Sequence, residues 1–242
     1  MNKIGFALES APVNVITEYL SLHPEPRRHL VLQDMRDSVE VKLGWPVPRI
    51  LQAGSPEIGN DEYLIRWNYE RLSQTRQQQR LRARRDGSIF FERSLLWDGT
   101  QRPAFDGDGF DGYVERVISN CLRGVNFVCT PCDCTPTTAV QISISVRGLG
   151  GSEMIFNPPR ERFNTVCRSS EAIERDEIVL LSSQSGLLES LRKATFNISN
   201  CVLNTFQLPK YFDYISDDEF TVLFEKEVAR LKFTEGILAS LH

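Results

Sequence analysis

Residues 139–147 alternate without a break. Val140, Ile142, Ile144 and Val146 are apolar, and Gln141, Ser143, Ser145 and Arg147 are polar. A period of two with one wet face is the mark of a strand in an antiparallel sheet covered on one side only. A chain organised around such a strand needs amphipathic elements to cover the apolar face. Three segments offer them. Tyr113, Val114, Val117, Ile118, Cys121 and Leu122 recur at helical spacing and predict a helix that ends near Gly124. Leu187, Leu188, Leu191, Ala194, Ile198, Cys201, Val202 and Phe206 form one face of a second. Ser216-Asp217-Asp218-Glu219 opens a third with a capping-box pattern, followed by a stripe of Phe220, Leu223, Phe224 and Leu231.

Strand signals fill much of the rest. Tyr63 to Tyr69 read as a strand. Asp86-Gly87 separates two runs, residues 80–85 and 88–97, and fits a two-residue type I′ hairpin turn with positive φ at both central positions. Gly148-Leu149-Gly150-Gly151 is expected to turn the alternating strand back into Met154 to Phe156 as a second hairpin. Ile178 to Leu181 reads as a short buried strand. Residues 12–22 read as a short helix, with Pro12 at its start and Val13, Ile16 and Leu20 on one stripe. Residues 30–44 fit either a strand or a helical turn, and residues 70–79 fit no single element. Trp45-Pro46-Val47-Pro48 forces an extended segment. The fold class is α+β: antiparallel β-hairpins packed with three or more amphipathic helices, without regular βαβ alternation. Residues 1–48 are expected to form an N-terminal helical or extended segment and 49–242 an α+β domain, the alternative being one continuous domain over 1–242.

Composition agrees with an ordinary folded domain: 41% hydrophobic, 25% charged and a formal charge of 28 − 32 = −4. The apolar runs are far short of the roughly 20 residues of a membrane span, and neither end carries a signal-peptide or lipidation pattern. The expected location is the cytoplasm, with no membrane partner. Six cysteines in a chain of this length then read as reduced thiols rather than a disulfide framework.

Few motifs carry chemistry. Cys129, Cys132 and Cys134 are close enough to ligate zinc, with Cys121, Cys167 or Cys201 as a fourth ligand. A second ligand pair at standard spacing is missing, so the expected cofactor is none, with zinc as the alternative. Gly148-x-Gly150-Gly151 leads toward a strand, whereas a phosphate-binding loop must open a helix. Asp106-x-Asp108-x-x-Asp111 lacks the ligand spacing of a calcium loop. Ser190-x-x-Lys193 lies on an ordinary amphipathic helix. The three histidines, His23, His29 and His242, join no recognisable triad. The reading leans away from an enzyme.

Charge is unevenly spread. Residues 66–85 hold seven arginines and one acid, and residues 212–227 hold six acids and one lysine. On a two-residue turn Arg84 faces Ile89, Arg82 faces Phe91 and Arg80 faces Arg93. That face would mix guanidinium groups with an aromatic ring, which suits single-stranded nucleic acid. The alternative function is therefore single-stranded nucleic-acid binding through Arg80, Arg82, Arg84, Phe91 and Arg93.

Four segments carry a resemblance. They are Val41-Lys42-Leu43-Gly44-Trp45-Pro46-Val47-Pro48; Asp86-Gly87-Ser88-Ile89-Phe90-Phe91-Glu92 with Trp97; the unit from Tyr113 to Gly148; and Asn200-Cys201-Val202-Leu203-Asn204-Thr205-Phe206-Gln207-Leu208-Pro209 leading to Tyr211-Phe212-Asp213. In this order they resemble the C-terminal region of bacterial proteins that carry an Alba-type, Schlafen-like DNA-binding domain at their N-terminus. The residues before the match are too few for that domain. The resemblance implies a cytoplasmic bacterial protein with a regulatory or defence role, and it carries no catalytic residue. The leading expectation is a non-catalytic binding or regulatory domain that acts with a protein partner.

Overall fold

A computed structural model describes residues 14–27, 30, 57–58, 62–70, 76–97, 109–129, 137–156, 163–167, 169–181, 184–206 and 216–232. The strands are β1 (Asn14–Glu25), β2 (Glu57–Ile58), β3 (Glu62–Glu70), β4 (Arg76–Arg84), β5 (Ile89–Trp97), β6 (Ala139–Arg147), β7 (Glu153–Phe156), β8 (Phe163–Val166) and β9 (Ile173–Leu180). The helices are α1 (Gly109–Val128), α2 (Gln184–Leu203) and α3 (Asp217–Arg230). The α+β class holds. Seven strands form an antiparallel sheet in the order β2-β3-β4-β5-β1-β6-β9, and β7 and β8 pair separately.

The alternating segment folds as β6, with Val140, Ile142, Ile144 and Val146 all buried. Their face carries the helices: α1 packs on β1, β5 and β6, α2 packs on β9 and β6, and α3 lies against α1 and α2. The third helix begins as its sequence foretells. Ser216 Oγ accepts from Glu219 N at 3.2 Å, and Ser216 N donates to the Glu219 carboxylate at 3.0 Å. Phe220 and Phe224 of α3 are buried, and the Phe220 ring meets Phe196 of α2 edge-on at 5.1 Å.

Residues 14–25 form an interior strand of the sheet, between β5 and β6, not a helix. Ile16 and Leu20 are spaced by four, which satisfies a helical stripe and a strand face equally. Leu22 and Glu18 share their side, so the true period is two. Val15, Ile16, Thr17 and Tyr19 are β-branched or aromatic and favour the strand. β1 pairs with β5 on one side and β6 on the other, so residues 14–25 belong to the same sheet as strands contributed by residues beyond 48. Residues 30–48, apart from Leu30, lie outside the described residues.

Three further expectations change. α1 runs past Gly124 to Val128, because that glycine is a packing position rather than a stop. A Cβ there would sit 2.6 Å from Leu22 Cδ1, so the missing side chain lets α1 approach β1 closely. Residues 148–151 do not fold β7 back onto β6; β7 pairs with β8. Ile178 and Leu180 are exposed, and only Val179 of that run is buried. A short apolar run does not reveal whether its strand is central or at an edge, and β9 is the last strand of the sheet among the described residues.

Sheet and α1 are tied by a buried charge cluster. Glu18 of β1 accepts from Arg93 Nε of β5 at 3.0 Å and from Arg116 Nη1 and Nη2 of α1 at 2.9 and 3.1 Å. Burial pushes the Glu18 carboxyl up, but Arg116 and Arg93 together hold it below its ordinary value of 4.5. A carboxyl lowered on folding binds its proton more weakly in the folded state. Its stabilising contribution is complete above about pH 4.5 and is lost as pH falls through the folded value. Glu18→Ala leaves two guanidinium groups facing each other and should cost about 3–5 kcal/mol in urea unfolding at pH 7. It should also flatten the loss of stability below pH 4.5. An unchanged unfolding midpoint would contradict this role.

Candidate functional site

The β4–β5 connection determines which side chains share a face. Arg84 N donates to Ser88 O at 2.8 Å, and Gly87 N donates to Arg84 O at 3.0 Å. Only Gly87 of the expected turn pair has positive φ, at 82°. The loop is therefore the three residues Arg85, Asp86 and Gly87, with glycine in the left-handed position next to the returning strand. Asp86 instead uses its carboxylate to accept from Ser88 N at 3.0 Å. The extra loop residue shifts the register by one from the expected pairing. Arg82 now faces Phe90, Leu81 faces Phe91, Ala83 faces Ile89 and Arg80 faces Glu92.

A shift of one residue exchanges the two faces of a strand. Phe91 and Arg93, expected beside the arginines, lie instead on the helix-covered face: Phe91 opposite Leu20, and Arg93 opposite Glu18 and bonded to it. Arg80, Arg82 and Arg84 do share a face, and their aromatic neighbour is Phe90. The Arg84 guanidinium lies 4.8 Å from the Phe90 ring centroid and that of Arg82 lies at 5.9 Å. Arg82 is ion-paired to Glu92 and sits 3.8 Å from Glu62, and Arg80 is 4.0 Å from Glu92. Two of these three arginines are thus partly neutralised in place. Arg84 is exposed on the Phe90 ring.

This outer face continues across the sheet. β1 contributes Val15, Thr17, Tyr19, Ser21 and His23; β6 contributes Gln141, Ser143, Ser145 and Arg147; β9 contributes Glu174, Asp176, Ile178 and Leu180. It is not uniformly open, since Leu64 on β3 is buried opposite Arg82. Toward β1 and β9 it opens. Val15 is 40%, Tyr19 42%, Ile178 66% and Leu180 58% exposed.

His23 locks the hairpin loop to β1. Its Nδ1 lies 2.9 Å from Ser88 Oγ, its Nε2 lies 3.1 Å from Ser21 Oγ, and Phe90 meets its ring edge-on at 5.4 Å. A neutral imidazole has one donor and one acceptor nitrogen, and a hydroxyl can complement either. Ser88 is fully buried, so the contact positions the loop and presents no nucleophile to a substrate. Burial lowers the His23 pKa from 6.5; Asp86 opposes that shift, and Arg27 and Arg84 reinforce it.

Cys129 is buried at the end of α1, and Cys132 and Cys134 lie outside the described residues. Cys121 and Cys167 are buried, and burial pushes Cys201 up to about 11. Among the described residues no three His, Cys, Asp or Glu side chains are grouped to hold a metal ion. Lys193 is exposed on α2 three residues from Ser190. His29, His242, Asp106 and Asp108 lie outside the described residues. No helix among the described residues is long and apolar enough to cross a membrane. No family model, curated protein or solved structure matches the chain.

Sequence reasoning missed Tyr19, His23, Phe90, Ile178 and Leu180 as surface residues. Reading 12–22 at period two would have found Tyr19, and the exposed alternate positions of an edge strand carry no sequence signal of their own. The lowered His23 pKa means that the folded state resists protonation, so stability is complete above about pH 6.5 and falls as pH drops toward the folded value. In a histidine NMR titration His23 should show a midpoint below 6.5, and His23→Gln should have a shallower stability–pH slope than wild type just below that pH. A midpoint at or above 6.5 would refute the packing argument.

Proposed function

We propose that the chain is a non-catalytic binding or regulatory module that acts with a protein partner, and that the outer sheet face is its contact surface. One observation carries the reading. Of the five large apolar side chains that stand exposed among the described residues, Val15, Tyr19, Ile178 and Leu180 share this face, and only Val222 lies elsewhere. Scattered exposed apolar groups need no explanation, but four of five on one face, two on β1 and two on β9 among polar side chains of β6, mark that face as the one for a protein contact. Serines and glutamine between them supply hydrogen-bonding groups for a polar margin. The sequence resemblance to the C-terminal region of Alba-type, Schlafen-like bacterial proteins supports the same reading and implies a role in a cytoplasmic regulatory or defence system.

The test is recovery of a defined partner by the tagged protein from its native host. Val15→Thr with Tyr19→Thr keeps strand propensity and removes apolar contact. It should lower recovery at least fivefold with the unfolding midpoint kept, while Val222→Thr should leave recovery unchanged. Equal recovery by the double variant overturns the surface, and substrate turnover abolished by a single substitution overturns the non-catalytic reading.

A second reading, single-stranded nucleic-acid binding, is favoured by the exposed Arg84 guanidinium stacked on Phe90, with Tyr19 exposed on the adjacent strand. Rings and a guanidinium plane accept bases, and Arg80 and Arg84 would meet phosphates. Fluorescence anisotropy with mixed-sequence RNA and DNA at two salt concentrations tests it. Arg84→Glu should weaken binding at least tenfold and reduce the salt slope by about one. Absence of binding at low salt removes this reading.

A further inference from the structure

We propose that the outer edge of β9 accepts a basic, extended segment of a partner protein as an added strand. The inference rests on the protein-partner reading above and names the partner's chemistry. Among the described residues β9 pairs on one side only, with β6. The other edge of such a strand presents a row of backbone donors and acceptors over its eight residues, about 27 Å. Main-chain pairing to that edge supplies affinity, and alternate side chains supply selectivity.

The side chains of β9 are sorted in a way that defines the occupant. Those turned to the helices are satisfied within the protein: Val179 is buried, and Arg175 Nη2 lies 2.6 Å from the Glu177 carboxylate. Those on the outer face run Glu174, Asp176, Ile178, Leu180, two acids followed by two exposed apolar groups. Glu174 reaches Arg147 at 3.3 Å, and Asp176 has no ion-pair partner among the described residues. The strand holds three acids and one arginine, a net charge of 1 − 3 = −2. Two copies side by side would set like charge against like in a parallel pair and acids against apolar groups in an antiparallel pair centred on Glu177, and neither favours self-pairing. The same charge repels a polyanion. A strand with Lys or Arg opposite Glu174 and Asp176, and β-branched or aromatic residues opposite Ile178 and Leu180, matches every outer position.

Two synthetic peptides probe this, Ile-Thr-Val-Thr-Lys-Thr-Lys for antiparallel addition and the reversed sequence for parallel addition. Binding is read by anisotropy, and hydrogen exchange locates it. One of the two should raise protection of the residue 173–180 amides at least tenfold. Replacing its central Thr by Pro, or both Lys by Glu, should weaken binding at least tenfold, and Ile178→Lys in the protein should weaken it at least fivefold. Binding by neither peptide, equal binding of the proline peptide, or binding without protection of β9 each overturns the proposal. The outcomes separate the two readings. Loss of the host partner in the β1 double variant with no peptide protection of β9 retains the contact surface and removes the edge site. Peptide protection of β9 with partner recovery unchanged in that variant does the reverse.

Discussion

Glu18 sits on an interior strand, beneath a helix, and meets guanidinium groups from β5 and α1. A carboxylate in that position is costly unless each oxygen is bonded. Both are: Oε1 takes Arg116, and Oε2 takes Arg116 and Arg93. The requirement is geometric as well as electrostatic. It fixes the register of β1 against β5, because Glu18 must stand opposite Arg93, and it fixes where α1 crosses the sheet. Apolar neighbours such as Ile16, Leu20 and Leu22 would tolerate small slides along the strands, whereas the fork of Arg116 would not. Net stabilisation over an apolar substitute is not required for this role; specifying one arrangement is enough.

That arrangement divides the sheet into two faces with different purposes. The inner face carries the apolar cover for α1 and α2, and α3 closes over them through Phe220 and Phe224. The outer face is a mosaic of hydroxyl, amide, guanidinium and ring. Its charge is graded: three arginines of β4 stand among Glu62 and Glu92 at one side, and Glu174 and Asp176 of β9 stand beside Arg147 at the other, with β5, β1 and β6 between β4 and β9. A surface graded in this way can orient a bound chain before apolar contact forms. His23, held by Ser21 and Ser88, keeps the β4–β5 loop against β1 and so keeps Phe90 and Arg84 in place.

Much of the architecture was legible. The period-two pattern in residues 139–147 gave β6 with its boundaries, the helical stripes gave α1 and α2, and Ser216 with Glu219 gave the start of α3. These signals are local, and their physical causes act within a few residues. The candidate surface was half legible. Strand periodicity places Arg80, Arg82 and Arg84 together, but a two-residue turn puts Phe91 and Arg93 on the wrong side. The error came from one dihedral: Asp86 does not take the left-handed conformation that a two-residue turn needs, and one added loop residue reverses the β5 faces.

The sequence by itself determined the α+β class, a hairpin turning at Asp86-Gly87, the capped third helix and the concentration of arginine in residues 66–85. Propensity, periodicity and charge are properties of short segments, so they survive without a fold. Tertiary structure alone decided that residues 14–25 form an interior strand of the sheet, that Phe90 rather than Phe91 meets the arginines, and that Ile178 and Leu180 face outward on the last strand of the described sheet. Each depends on which strand lies beside which, and strand pairing is made between residues far apart in the chain, such as Glu18 with Arg93 and His23 with Ser88.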